Sequence, residues 1–138
     1  MILVYGRDVE VAAWVAAQIP HMPTGFIDMK AIGVADAAGA LIGGAVYHEF
    51  RGNDIQISCA AVSRRWLNKR FIKAMFVYPF IQLGCDRVTS CIPSRNAHTR
   101  RFIEGLGFKE EGSMRRGFIG DDCIIYGMLR EECKYIKD

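Results

Sequence analysis

The order of hydrophobic and polar residues predicts short strands and helices that alternate along the chain. Ile2 to Tyr5 is an apolar run of the length of a short strand. A helix is predicted from Val9 to Ile19, with Asp8 as its N-cap. Pro20 and Pro23 end this helix, and the residues up to Phe26 are expected to form a loop or a short helical turn.

Three strands are predicted next, separated by short turns. They span Ala31 to Asp36, Ala40 to Arg51 and Ile55 to Val62, and the last alternates apolar with small or polar residues. Gly43 and Gly44 in the second of these strands indicate a bulge or a close backbone approach. Because short turns join antiparallel neighbours, we expect these strands to form an antiparallel meander.

The second half of the chain alternates helices with strands. Ser63 is predicted to cap a helix that runs to about Leu83 and is kinked or broken at Pro79. The strand that follows that helix is expected to pair in parallel with Ile55 to Val62, because a whole helix separates the two. The remaining predicted elements are that strand, Arg87 to Ile92, a helix from Asn96 to Leu106, and a hairpin of Phe108 to Met114 and Asp122 to Leu129.

This order predicts one α+β domain over residues 1–138, with a mixed, mostly antiparallel sheet and a central parallel β-α-β crossover. The chain is 51% hydrophobic and 24% charged, which is typical of an ordered domain with its own core. The net charge of +3 is mild, so it fits a small anionic ligand and does not by itself indicate nucleic-acid binding.

The cysteines and the apolar runs of the chain indicate the cellular compartment in which the protein is expected. The five cysteines form no C-x-x-C pair and no metal-ligand spacing with the histidines, so we predict reduced thiols of a cytoplasmic protein without a metal. No apolar run approaches the ~20 residues of a membrane helix. The N-terminus lacks the basic flank and the length of a signal peptide.

A basic turn precedes the predicted helix after Val62. Arg64, Arg65, Lys69 and Arg70 surround the expected helix start, where backbone N–H groups also attract anions. This arrangement suits a ligand that carries a pyrophosphate. Taken alone, a solvated helix start explains the four charges equally well.

A longer motif carries a family resemblance. It reads Asn96-x-x-Thr99-x-x-Phe102-x-x-x-Leu106-Gly107-Phe108-x-x-Glu111-Gly112-x-x-Arg115 and continues to Tyr126-Gly127-Met128-Leu129. With Tyr78-Pro79-Phe80 upstream, it resembles the GNAT N-acetyltransferase superfamily over about residues 40–134. The residues and spacing of the motif are similar to those of the ribosomal-protein alanine acetyltransferase branch and of small phage-encoded members.

The resemblance implies a V-shaped sheet with helices on both faces that binds acetyl-CoA as co-substrate and needs no metal. The pantetheine arm would pair with the backbone of Ala60, Ala61 and Val62, and Asn96 would touch that arm. The diphosphate would lie on the turn formed by Arg64, Arg65, Trp66, Leu67, Asn68, Lys69 and Arg70. Trp66 and Asn68 replace the small residues of the family, so their side chains must point away from the phosphates.

The usual acid and base of the family are missing. Gln56 stands where a related branch has a glutamate base, and Ile103 stands where a tyrosine acid is common. His48, Glu49 and Asp54 are the nearest candidates for a base that acts through water, and Tyr126 is predicted to face the cleft. For each of these residues a structural role is the alternative.

The resemblance therefore implies acetyl transfer to a primary amine by direct attack in a ternary complex. The acceptor would be a protein N-terminus, a lysine or a small amine, selected by loops His21 to Asp28 and Gly117 to Asp122. The alternative is a non-catalytic acyl-CoA-binding or interaction module, which the missing acid and base favour; nucleic-acid binding rests on the basic turn alone. The closing hairpin suggests a homodimer, with Ile119, Ile124 and Ile125 partly exposed.

Overall fold

A computed structural model of the chain describes residues 1–19, 28–62 and 68–137. Ser63, the predicted cap, and the predicted loop from Pro20 to Phe26 lie outside these ranges. The strands are β1 (Ile2–Val4), β2 (Lys30–Ala35), β3 (Leu41–His48), β4 (Asp54–Ala61), β5 (Arg87–Pro93), β6 (Lys109–Phe118) and β7 (Asp121–Leu129). The α-helices are α1 (Asp8–Gln18), α2 (Lys69–Val77) and α3 (Ala97–Leu106), with a π-helical turn at Tyr78–Gln82 and 3₁₀ turns at Arg130–Glu132 and Lys134–Ile136.

All seven strands form one sheet in the order β1-β2-β3-β4-β5-β7-β6. Every neighbouring pair is antiparallel except β4 and β5, which are parallel and are joined through α2. The predicted fold class is therefore confirmed, including the central crossover. Across the described ranges, no helix is both long and apolar enough to cross a membrane.

The sheet buries a separate apolar cluster on each face. On one face α1 places Val11, Ala12 and Val15 against small residues of β2 and β3. On the other face α2 and α3 cover the larger cluster, with side chains from β2 to β5 and β7. Aromatic rings fill much of it, and Phe76 stacks on Tyr135 with ring centroids 5.1 Å apart.

Asp8 does not cap α1 as predicted. It is the first helical residue, Arg7 occupies the N-cap position, and no side chain caps the helix there. The Asp8 carboxylate accepts a hydrogen bond of 2.9 Å from the backbone N–H of Ala31. Its role is thus to attach the start of α1 to β2.

The two glycines of β3 were predicted to mark a bulge or a close approach. Val34 of β2 pairs with Gly43 and the next residue, Ala35, pairs with Leu41, so β3 has one extra residue, Ile42, directly before Gly43. A Cβ atom on Gly44 would lie 2.9 Å from Val15 Cγ2 and 3.0 Å from Val11 Cγ1. The prediction is therefore confirmed in both parts: a bulge begins next to Gly43, and side chains of α1 approach closely at Gly44.

The closing hairpin extends further toward its turn than predicted, and β6 continues through Gly117 to Phe118. A Cβ atom on Gly117 would lie 2.5 Å from Cys123 Cβ, so the strand passes close to its partner there. Ile119 at the tip is 85% exposed, but Ile124 is only 8% exposed because it faces the larger cluster. The expectation that Ile124 is available at the surface is wrong.

Pro79 breaks α2 where the sequence predicts it, and one buried hydrogen bond compensates for the break. A residue at position 79 would normally donate its N–H to the carbonyl of Met75, four residues earlier, but proline has no N–H. The Tyr47 hydroxyl donates to that Met75 oxygen instead, at 2.5 Å. The chain then continues as a π-helical turn closed by a hydrogen bond from Leu83 N to Tyr78 O.

The parallel pairing of β4 and β5 is short. Only Asp54, Ile55 and Gln56 of β4 pair with β5, opposite Arg87 to Thr89. Beyond them, the buried Ser90 hydroxyl of β5 donates to the carbonyl oxygen of Ile57 at 3.1 Å. A side chain thus makes the last link between the strands, and past it they separate.

Removing the Tyr47 hydroxyl should destabilise the protein. Tyr47→Phe leaves the buried Met75 carbonyl without its donor, and the expected cost is about 1–3 kcal/mol of unfolding free energy. Urea unfolding measures the loss, with the exposed Tyr5→Phe as a matched control that should change little. In a Pro79→Ala background the new N–H competes for the same oxygen, so the cost of Tyr47→Phe should shrink. An equal cost in both backgrounds would contradict this account.

The Ser90 link yields a second prediction. Ser90→Ala removes the donor to the Ile57 carbonyl, and the expected destabilisation is about 1–3 kcal/mol. Ser113→Ala on the exposed face of β6 makes the same atomic change as a control. If the two variants unfold at the same urea concentration, the Ser90 hydroxyl contributes nothing to the joint between the strands.

Candidate active site

A cleft of about 650 Å³ opens where β4 and β5 separate. The end of α1 forms one wall and the first turns of α3 form another, so the cleft connects the two faces of the sheet. Its described lining is Gln18 and Ile19 of the α1 end, residues 58–62, residues 90–93, Asn96, His98, Thr99, Phe102 and Ile103.

The backbone of β4 presents unpaired polar groups to this cleft. Val62 N donates to Ile42 O, which shows that even-numbered residues here direct their N–H and C=O groups to β3. Ile57 O faces β5 and accepts from Ser90. Cys59 and Ala61 share the parity of Ile57, so their N–H and C=O groups point into the gap between the strands.

The residues predicted to pair with a pantetheine arm differ in whether their backbone N–H and C=O groups point into the cleft. Ala60, Ala61 and Val62 all line the cleft, but only Ala61 directs its backbone into it. Cys59 is the other strand residue that does so, and the sequence analysis did not single it out. The β3–β4 register runs without a shift from His48 and Gln56 to Gly43 and Ala61, so the exposed groups result from strand separation and not from a bulge.

Helix α2 starts at Lys69, later than predicted, and Asn68 is its N-cap. The Asn68 side chain accepts a hydrogen bond from Phe71 N at 2.8 Å, and its φ of −82° requires no glycine. The amides of Lys69 and Arg70 occupy the first two helical positions, where no carbonyl of the helix is available to them. Arg64, Arg65, Trp66 and Leu67, also predicted to hold the diphosphate, lie outside the described residues.

Asn96 occupies the cleft wall at the start of α3. Its Oδ1 accepts from Thr99 N at 3.2 Å, which caps the helix and fixes the orientation of the side chain. Because the cap uses only the oxygen, the Nδ2 group is the part of the side chain suited to donate to a ligand. The structural role and the predicted binding role of Asn96 are therefore compatible.

His48 reaches the cleft through one serine. Its Nε2 lies 3.0 Å from Ser58 Oγ, and Ser58 is a lining residue. Burial lowers the pKa of His48 from its ordinary value of 6.5, and the Glu49 carboxylate partly opposes that shift. At neutral pH the imidazole is therefore mostly uncharged, and the tautomer protonated on Nδ1 would accept from the Ser58 hydroxyl.

The other residues suggested for acid or base chemistry lie apart from the lining. Gln56 pairs with His48 across the strands, and Glu49 follows β3 with a φ of +57° and an exposed side chain. The buried Asp54 carboxylate accepts from the Thr89 hydroxyl at 2.7 Å and from Arg51 at 2.9 Å. These contacts place Asp54 at the end where β4 and β5 are still paired, away from the cleft.

Tyr126 is held within the core and is not among the described lining residues, contrary to the prediction that it faces the cleft. Its hydroxyl accepts from Arg100 Nε at 2.9 Å and donates to Glu104 at 2.8 Å. Burial is the main cause that raises the pKa of this hydroxyl. These bonds attach β7 to α3, which is the wall that carries Asn96.

Two thiols border the cleft, Cys59 and Cys91. Burial raises the pKa of each to about 12, so both are protonated at neutral pH and are poor nucleophiles. A covalent acyl-cysteine step is therefore disfavoured. Across the described ranges, no group of three or more His, Cys, Asp or Glu side chains is placed to hold a metal ion.

Several lining residues could not be predicted from the sequence because no local pattern marks them. Gln18 and Ile19 lie far from β4 in the chain, and only the packing of α1 on the sheet brings its end to the cleft. Ser58 and Ser90 read as ordinary strand serines until the register places them beside the gap. The spacing of His98, Thr99 and Phe102 after Asn96 did carry a signal, since one helix face repeats every three or four residues.

Acetyltransferases are among the solved structures that the chain resembles. The chain matches a chimera of spermidine N-acetyltransferase SpeG from Vibrio cholerae and hSSAT with a TM-score of 0.75 at 16% identity, over 99% of this chain and 98% of that one. A SpeG point mutant from the same organism matches with a TM-score of 0.64 at 20% identity, over 79% of this chain and 69% of that one.

A third solved structure, ribosomal-protein-S5-alanine acetyltransferase from Vibrio fischeri, matches with a TM-score of 0.63 at 17% identity, over 77% of this chain and 64% of that one. No protein-family model and no curated protein sequence matches the chain. At these identities the likeness concerns the fold, and the chain shares its fold with N-acetyltransferases of the GNAT type.

Proposed function

We propose that the protein transfers an acetyl group from acetyl-CoA to a primary amine, by direct attack within a ternary complex. The observation that carries this proposal is the separation of β4 from β5. At this separation, backbone groups of β4 are left without strand partners, the start of α3 lies at the cleft, and the cleft is open to both faces of the sheet. The proposal is supported by the solved structures of the same fold, which are named as acetyltransferases.

The cofactor would lie along the α2 and α3 side of the cleft. The extended backbone at Cys59 and Ala61 suits the amide groups of a pantetheine arm, which would add to β4 like a short strand. Asn96 Nδ2 would donate to the same arm. The diphosphate would accept from the amides of Lys69 and Arg70, with charge supplied by Arg64, Arg65 and the two side chains of the helix start.

Acetyl-CoA supplies an activated acetyl group as a thioester. An N–H of Cys59 or Ala61, fixed in the strand, would donate to the thioester oxygen where negative charge develops. Such donors are effective because their position is set before the reaction begins. The nitrogen of the acceptor forms the new C–N bond, the C–S bond breaks, and the proton lost by the nitrogen goes to the sulfur of CoA.

His48 would keep the acceptor amine in its reactive neutral form. An ammonium group at the cleft wall can pass a proton to Ser58 Oγ while that hydroxyl passes its own proton to His48 Nε2. The lowered pKa of His48 keeps the imidazole ready to accept at neutral pH. Glu49 follows His48 in the chain and stabilises the imidazolium that results.

A non-catalytic acyl-CoA-binding module is the second candidate. The observation that favours it is the burial of Tyr126, which leaves no described tyrosine in the lining to act as an acid. Both candidate functions require cofactor binding, and calorimetric titration with acetyl-CoA and with CoA tests this shared property. Release of CoA thiol in the presence of amines then separates them, since only an enzyme releases thiol in proportion to amine.

Reversing a charge at the helix start should weaken cofactor binding. Arg70→Glu replaces attraction for the diphosphate with repulsion, and we expect the Kd for acetyl-CoA to rise about tenfold or more. Arg101→Glu makes the same change at an exposed site of α3 outside the described lining. Equal effects of the two variants in calorimetry would place the diphosphate elsewhere.

The pH dependence of kcat should carry the signature of His48. Because its pKa lies below the ordinary value, kcat should stay high above pH 6.5 and fall as pH drops through the lowered pKa. His48→Gln should remove this acidic limb and reduce kcat by about 10²-fold or more, with the Kd for acetyl-CoA unchanged.

Glu49→Gln should shift the acidic limb of the pH profile, whereas His48→Gln should remove it. Loss of the neighbouring carboxylate removes an influence that raises the pKa of His48, so the acidic limb should move to lower pH. An acidic limb that persists in His48→Gln, or that does not move in Glu49→Gln, would eliminate His48 as the base.

A further inference from the structure

A hydroxyl and an imidazole lie together at the cleft, on the face of the sheet that α1 covers. Ser58 of β4 pairs with Val46 of β3, whose side chain packs in the α1 cluster, so the Ser58 side chain lies on that same face. Ser58 is half-buried and lines the cleft, and its Oγ lies 3.0 Å from His48 Nε2. A hydroxyl with a base at this distance has the arrangement that nucleophilic catalysis by serine requires.

Three other nucleophilic side chains that border the cleft are less suited to attack. The Ser90 hydroxyl donates to the backbone oxygen of Ile57. Burial raises the pKa of the Cys59 and Cys91 thiols to about 12, so both stay protonated at neutral pH. Ser58, with an imidazole beside it, is better prepared to attack than any of these three.

The backbone next to Ser58 supplies donors for the charge that such an attack creates. Ile57 O faces β5, whereas Val62 N faces β3. Cys59 and Ala61 share the parity of Ile57, so their N–H groups point into the gap between β4 and β5. Because Cys59 directly follows Ser58, one strand segment fixes both the nucleophile and a donor that can stabilise a tetrahedral oxyanion.

We propose that Ser58 is itself an acyl acceptor: when no amine is bound, it takes the acetyl group from acetyl-CoA, and water then releases acetate. This acetyl-CoA hydrolase activity goes beyond amine acetylation, and it rests on the proposed function because it requires acetyl-CoA in the same cleft. With an amine bound, the Ser58 hydroxyl passes protons between the amine and His48. Without an amine, the same hydroxyl attacks the thioester.

The reaction has two steps, and His48 handles the proton in both. Ser58 Oγ forms a bond to the thioester carbon and gives its proton to His48 Nε2, while the C–S bond breaks and the sulfur of CoA takes that proton. Water then attacks the resulting acetyl ester and gives a proton to His48. The C–Oγ bond breaks, Ser58 Oγ recovers a proton from His48, and acetic acid leaves and ionises in solution.

Release of CoA thiol from acetyl-CoA in the absence of any amine is the first test. We expect slow release by the protein as it is, a fall to the spontaneous rate in Ser58→Ala, and a fall of about 10²-fold or more in His48→Gln. Ser113→Ala, on the exposed face of β6, makes the same atomic change as a control and should leave the release unchanged. Equal release by Ser58→Ala and Ser113→Ala would overturn the proposal.

Two measurements on the unaltered protein establish whether the acetyl group is held covalently. After acid quenching, mass spectrometry should find one acetyl group on Ser58 that hydroxylamine removes, as expected of an ester. Labelled CoA should also exchange into acetyl-CoA without amine, because an acetyl-enzyme can return its acetyl group to CoA. An acetyl group on Cys59 instead, or the absence of both acetyl-Ser58 and exchange, would overturn the proposal.

Failure of the proposed function gives a different pattern. If amines accelerate thiol release but Ser58 is never acetylated, only the present proposal is wrong. If Ser58 is acetylated but amines neither accelerate thiol release nor become acetylated, the protein is a hydrolase and the proposed transfer to amines is wrong. If calorimetry detects no binding of acetyl-CoA, both proposals are wrong.

Discussion

The cleft exists because two parallel strands are hydrogen-bonded over only three residue pairs. Strands that continued in register would use the backbone groups of Cys59 and Ala61 within the sheet. Ser90 closes the pairing with a hydroxyl where the ladder would otherwise require a backbone group. All the features that suggest chemistry depend on this early separation, since it exposes strand backbone on one side and admits α1 and α3 as walls.

Separation of the strands would weaken the sheet if α2 did not hold its two halves together. The helix forms the crossover and packs in one cluster with side chains from both halves of the sheet, and the Tyr47 hydroxyl reaches from β3 to the Met75 carbonyl that Pro79 leaves unpaired. Pro79 interrupts the regular helix after Val77, and the buried tyrosine hydroxyl offsets the lost backbone hydrogen bond. The same helix begins at Lys69, and the Asn68 side chain caps its start.

The chemistry of the walls follows from what burial does to each group. Burial raises the pKa of the Cys59 and Cys91 thiols and lowers that of the His48 imidazole, so the thiols are inert while the imidazole is a usable base. The carboxylates of the ion pairs and turns are engaged away from the cleft. Among the described residues the lining of the cleft therefore contains no aspartate, glutamate, lysine or arginine.

Local sequence determined the elements, the α+β class and the crossover, because hydrophobic period, proline and glycine act over a few residues. It also marked the basic residues up to Arg70, which lie in one short segment, and Asn96, which begins the separate motif that ends at Arg115. Only tertiary structure decided that Tyr126 is buried against Arg100 and Glu104, and that His48 reaches the cleft through Ser58. Strand register and helix packing join residues distant in the chain, and no local pattern encodes which backbone groups remain unpaired once the strands separate.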